Sequence, residues 1–160
     1  MYKRQVPVFA AETPDDGPPF LVMPFIDGPT LGDVIAAQRG LEPRFAAGLL
    51  RQIAGGVQAL HTAGFIHRDI KPGNILLTRA DGVPKLTDFG LAREEAGGAV
   101  TTADTIAGTP GYLSPEQIHS PQSVDARSDV YALGATLYEC LSGVPPFRGA
   151  TLDVLRIIVD

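Results

Sequence analysis

The 160-residue chain is 44% apolar and 19% charged, enough to bury one sizeable core and unlike a disordered or fibrous protein. A net charge of −5 offers no basic face to neutralise a phosphate backbone, which argues against nucleic acid as a partner, whereas a metal nucleotide needs only a few placed groups. Cys140, the one cysteine, rules out an internal disulfide and a thiolate zinc cluster and fits a reducing, cytosolic setting. No apolar run reaches the roughly 18–20 residues of a membrane helix, and no signal-peptide pattern opens the chain.

In chain order, residues 20–26 are apolar apart from Pro24 and follow the turn-forming stretch 14–19, which predicts a strand running into a linker, its far end outside any central sheet position. Thr30 and Asp33 have capping-box spacing, and Leu31, Val34 and Ile35 predict a short helix ending before Gly40. Pro43 opens a longer helix in which Phe45, Leu49, Ile53, Val57 and Leu60 keep an i, i+4 rhythm up to Gly64. Gly55 and Gly56 fall inside it and read as close packing, not phosphate binding. From His67 to Gly90 a polar loop, the apolar triplet 75–77, an Asp81-Gly82 turn and Leu86 predict a small hairpin. Residues 94–111, rich in Gly, Ala and Thr and without periodicity, predict a mobile loop too long to be a mere connection, of the kind that is functional or disordered. The stretch 130–141 is apolar on nearly all sides and stops at Gly143, so a helix buried within the domain is expected. Mainly helices with one small hairpin between them make an α-rich α+β domain.

The polar stretch His67-Arg68-Asp69-Ile70-Lys71-Pro72-Gly73-Asn74 is followed fourteen residues after the asparagine by Asp88-Phe89-Gly90, and later by the run from Gly108-Thr109-Pro110 to Ser114-Pro115-Glu116. In this order and spacing the three segments resemble the catalytic loop, the magnesium-binding segment and the end of the activation segment of the eukaryotic-type protein kinases. The resemblance spans nearly the whole chain, from about Val6 to Asp160. It implies ATP-dependent transfer of a phosphoryl group to protein serine or threonine, with ATP and Mg²⁺ as cofactors. Such chemistry asks for an anionic triphosphate held in line with a hydroxyl while charge is neutralised, and oxygen ligands suit a hard cation. By resemblance, Asp69 would orient the hydroxyl and accept its proton, Lys71 would stabilise the transferred group, and Asn74 and Asp88 would hold magnesium. Lys71-Pro72 and Thr109 have the serine/threonine rather than the tyrosine kinase form. Arg68 beside Asp69 resembles kinases whose arginine pairs with a phosphorylated activation loop. Thr105 is the best-placed acceptor there, with Thr101 and Thr102 as alternatives.

The same resemblance makes residues 23–28 the hinge that reads adenine: Met23 as gatekeeper, Pro24 contributing its carbonyl, Ile26 its amide, and Leu76 supporting the ring from below. Asp129, on the helix containing Val130 and Tyr131, would bond the catalytic-loop backbone, and His67 and Phe89 would be structural. Read without the family, Asp33 and Asp81 are cap and turn residues, His61 and His119 are ordinary helix and loop histidines, and Cys140 packs. The implied fold is a truncated kinase-like α+β domain, with residues 6–26 as remnant small-lobe strands and hinge start and residues 27–160 as an incomplete large lobe. Nothing before Phe20 supplies a glycine-rich loop or its strand lysine. Ser114 stands where the family usually has alanine, and the arginine partner of Glu116 would lie beyond Asp160. A small-lobe-deficient pseudokinase acting as a binding module is therefore the alternative reading, and the chain alone is expected to be inactive. A small-molecule phosphotransferase is disfavoured by the two later motifs, which serve protein-substrate docking.

Overall fold

The computed structural model describes residues 9–14, 18, 20–88 and 110–159. Two antiparallel strands come first, β1 (Ala10–Glu12) and β2 (Phe20–Val22), with Ala10 opposite Val22. The strand predicted over 20–26 stops at Val22. Pro24 has no N–H to give a ladder, and residues 23–26 continue without strand pairing.

Helix α1 (Leu31–Gln38) starts where Thr30 and Asp33 predict it: the Asp33 amide donates to Thr30 Oγ1 at 3.0 Å, and the Thr30 amide to the Asp33 carboxylate at 3.0 Å. Helix α2 (Pro43–Thr62) has Pro43 in its first turn, where a missing N–H costs nothing, and the Glu42 carboxylate caps it by accepting from the Phe45 amide at 2.8 Å. Its buried stripe runs through Ala46, Leu49, Ile53, Val57 and Leu60. Phe45, predicted on that stripe, is exposed, because Ala46 takes the inward position of the first turn.

A turn of 3₁₀ helix (Pro72–Asn74) leads into β3 (Ile75–Leu77), which pairs antiparallel with β4 (Pro84–Leu86), Ile75 opposite Leu86. Asp81 and Thr78 tie the connecting turn by accepting from the Val83 amide at 3.2 and 2.8 Å. Residues 27–30 lie along the outer side of β3. Leu77 N donates to Pro29 O at 2.9 Å and Arg79 N to Asp27 O at 2.8 Å. That approach needs a glycine, since a Cβ on Gly28 would sit 1.8 Å from the Leu77 carbonyl oxygen. Gly28→Ala is therefore expected to force the linker off β3 and cost about 1–3 kcal/mol, by analogy with overpacking, read as a thermal midpoint lowered by several degrees. An unchanged midpoint would contradict this packing.

From residue 110 on come a 3₁₀ turn (Pro110–Tyr112), the short helix α3 (Pro115–His119), α4 (Ala126–Ser142) and α5 (Thr151–Val159). Helix α4 begins earlier than its apolar run because Asp125 caps it, accepting from Arg127 N at 2.8 Å. It is also less enclosed than expected. Ala132, Ala135 and Cys140 are buried, with α2 as the main neighbour, but Val130 is 61% exposed and Tyr138 and Leu141 are exposed too. Only one side of the helix is packed among the described residues, so its all-round apolarity does not translate into all-round burial. At its C-terminus Gly143 (φ 79°) abuts the end of α1: a Cβ there would meet the Arg39 carbonyl at 2.7 Å, and Leu41 N donates to Cys140 O at 2.6 Å. The core gathers Leu31, Ile35, Ile53, Ile75 and Leu86 between α1, α2 and the β3–β4 hairpin. No helix among the described residues is long and apolar enough to cross a membrane.

Candidate active site

Residues 65–71, between α2 and the 3₁₀ turn, have no regular structure of their own, so their backbone groups depend on partners elsewhere. Asp129, fully buried in the first turn of α4, supplies them. Its Oδ2 accepts from the His67 amide at 2.9 Å and its Oδ1 from the Arg68 amide at 2.9 Å. A third donor is His61 Nε2 near the end of α2, 2.7 Å from Oδ2. Three N–H groups thus compensate a carboxylate with no water around it. The sequence treats His61 as an ordinary helix histidine; instead it completes the clamp. Its position six residues before His67 was the available signal, because a loop that short returns the end of α2 to the same neighbourhood.

The clamp holds an unfavourable conformation. Arg68 has φ 68°, in the left-handed region that non-glycine residues rarely occupy. Beneath it His67 is fully buried, its Nδ1 accepting from the Asp69 amide at 3.3 Å and its Nε2 facing the Thr87 carbonyl at 3.1 Å, which places the ring proton on Nε2. Burial holds the His67 imidazole below its ordinary value of 6.5, with the charge of Asp129 pulling the other way. An unfolded chain takes up that proton more readily than the folded one, so stability from this group is present above about 6.5 and lost as pH falls below it. The thermal midpoint should decline on acidification through this range. An NMR titration in which His67 protonates at or above the ordinary value would overturn the assignment.

Three side chains converge on the loop. Lys71 Nζ lies 3.0 and 3.2 Å from the two Asp69 oxygens, and Asn74 Nδ2 donates at 2.8 Å both to Asp69 Oδ2 and to the Asp69 carbonyl. Since both acceptors claim the amide nitrogen, Asn74 Oδ1 must point elsewhere. Thr87 N donates to Asn74 O at 3.0 Å, and Asp88, exposed and itself at φ 55°, follows Thr87 directly in the chain. An amide oxygen and a carboxylate are the donors a hard divalent cation prefers, so this pair suits Mg²⁺.

On the other side, Met23, Pro24 and Ile26 lie half-buried in the linker, with Phe25 between them 91% exposed. Leu76 is half-buried while its neighbours Ile75 and Leu77 point into the core, so it stands on the opposite face of β3. Glu116 on α3 accepts from Ser128 Oγ at 2.5 Å, and this bond holds its carboxyl below the ordinary value. Tyr112 donates its hydroxyl to the Glu139 carboxylate; burial first, and that bond second, raise the phenol well above its ordinary value. Burial also pushes the Cys140 thiol up to about 12, which makes it an unreactive packing residue. Phe89, Thr105 and Thr109, with Thr101 and Thr102, lie outside the described residues.

Known proteins resemble this chain. The family model for the protein kinase domain matches residues 10–158. Serine/threonine-protein kinase PknB of Mycolicibacterium smegmatis is 44% identical over 141 residues, which are 87% of this chain and 22% of PknB. PknL of Mycobacterium tuberculosis is 46% identical over 131 residues, 82% of this chain and 32% of PknL. The chain thus spans between a fifth and a third of the length of these curated relatives. Among solved structures, Rad53 1–466 in complex with AMP-PNP superimposes with a TM-score of 0.75 at 32% identity, over 95% of this chain and 37% of the solved chain. With the family model matching residues 10–158, the chain belongs to the protein kinase domain family.

Proposed function

We propose that this chain carries the phosphoryl-transfer machinery of a serine/threonine protein kinase acting on protein hydroxyls with ATP, as part of a longer catalytic domain in which residues 6–26 are small-lobe and hinge and residues 27–160 large lobe. The observation that carries the reading is the convergence of Lys71 and Asn74 on Asp69, on a loop clamped by a buried Asp129. Asp69 receives the acceptor hydroxyl and takes its proton as the oxygen attacks the γ-phosphorus, the bond to the β-phosphate oxygen breaks and ADP leaves. Lys71, tethered beside Asp69, neutralises charge on the phosphoryl group in flight. Asn74 and Asp88 hold Mg²⁺, which supplies charge neutralisation on the phosphates. Met23, Pro24, Ile26 and Leu76 enclose the adenine. Arg68 and the threonines of the activation segment, Thr105 first, make the regulatory contacts, and Thr109 and Glu116 shape the protein-substrate side. A buried free thiol and the AMP-PNP bound by the similar Rad53 fit a cytosolic, nucleotide-using enzyme.

The test is calorimetric. Asp88→Ala in the full-length protein should weaken Mg-ATP binding at least about ten-fold, because it removes an anionic ligand from the ion. Affinity equal to wild type would remove Asp88 from this role.

A further inference from the structure

The peptide that joins Arg68 to Asp69 is held at a point that neither the clamp nor the acid-base roles account for. Gln117, on α3, donates through Nε2 to the Arg68 carbonyl oxygen at 2.9 Å. Its other end is fixed as well: Oε1 accepts from the Ser114 amide at 3.1 Å and from Ser114 Oγ at 3.3 Å, closing a capping box at the start of α3. Ser114 is fully buried. With one oxygen committed to the helix cap, the amide nitrogen has a single orientation toward the loop. The Arg68 N–H is taken by Asp129, so this strained left-handed residue is gripped from α4 on its amino side and from α3 on its carbonyl side. The carbonyl grip matters for chemistry because that oxygen belongs to the same peptide plane as the Asp69 amide. Rotation of the plane would turn the Asp69 side chain away from Lys71 and Asn74.

We infer that Gln117 is a positioning residue for Asp69, and that through Ser114 it couples the end of the activation segment to the orientation of the catalytic loop. The inference rests on the kinase reading of Asp69 given above.

Gln117→Glu discriminates positioning from simple capping. Glutamate keeps the length and the acceptor for Ser114, and completes a serine-glutamate capping box, but its carboxylate cannot donate to the Arg68 carbonyl. A cap-only role therefore predicts wild-type behaviour. Positioning predicts a fall in kcat of about ten-fold or more with KM for ATP within about two-fold of wild type, since small misplacements of a catalytic group are costly. It also predicts an unchanged thermal midpoint and faster hydrogen exchange at the Arg68 and Asp69 amides. The measurements use the full-length protein with Asp69→Asn as control. Wild-type kcat and exchange in Gln117→Glu, beside an inactive control, would overturn the inference while leaving the kinase reading intact. A control that keeps its turnover would overturn the kinase reading and the inference together. Should Gln117→Glu not fold, Gln117→Met, of similar length and without a donor, is judged by the same kcat and exchange criteria.

Discussion

Asp69→Asn should reduce phosphoryl transfer by roughly 10²–10⁴-fold, the range that a positioned general base contributes, while Mg-ATP affinity stays close to wild type. In the proposed role the side chain acts on the incoming hydroxyl, so removing its basicity touches the transition state and leaves the nucleotide contacts alone. Structure argues that the substitution is otherwise mild. Asparagine keeps the size of the side chain and one oxygen for Asn74, and the ion pair it loses with Lys71 is partly exposed on both partners, at 34% for the aspartate side chain and 21% for the lysine. Pairs of that kind contribute little to stability. Steady-state transfer to a generic basic protein, with calorimetric titration of Mg-ATP, measures both halves of the expectation. Turnover near the wild-type rate would remove Asp69 as the base.

The largest effect on stability is expected at Asp129→Ala. The change strips acceptors from the His67 amide, the Arg68 amide and His61 Nε2 at once, around a carboxylate that is itself fully buried. Breaking a buried charged cluster by removing one partner costs about 3–5 kcal/mol. For a chain of this size that corresponds to a midpoint lowered by roughly 10 °C or more. Asparagine should rescue only in part, because its amide group would point N–H at one of the donors that Asp129 satisfies. Thermal unfolding of the two variants, with the ratio of native to unfolded amide exchange at His67 and Arg68, reads this out. A midpoint within a degree or two of wild type for the alanine variant would mean that the clamp does not hold the loop.

Local signals in the sequence carried well where the structure obeys them locally. Thr30 and Asp33, Pro43, and the Asp81-Gly82 turn each fix an element boundary through contacts three residues away or fewer, so spacing alone was informative. The polar loop over 67–74 and the hairpin after it were legible as elements because their groups sit together in sequence as they do in space. What was not legible depends on partners far along the chain. His61 looks like any helix histidine until α4 delivers Asp129 to it across 68 residues, and Gln117 looks like a surface residue of a short helix until Arg68 is placed above it. The exposure of Val130 and Tyr138 was missed for a related reason: apolarity records what a face can bury, and neighbours decide what it does bury.

The clamp also imposes an order in time. Asp129 follows His67 by 62 residues, and at synthesis rates of about 5–20 residues per second roughly 3–12 s pass before a ribosome that has made the catalytic loop adds the residue that secures it. During that interval Arg68 has no buried carboxylate to offset its left-handed backbone, and the loop relaxes toward ordinary conformations in which Asp69, Lys71 and Asn74 need not meet. A nascent chain therefore carries Asp69, Lys71 and Asn74 in its sequence while lacking their arrangement, which begins when α4 emerges and docks.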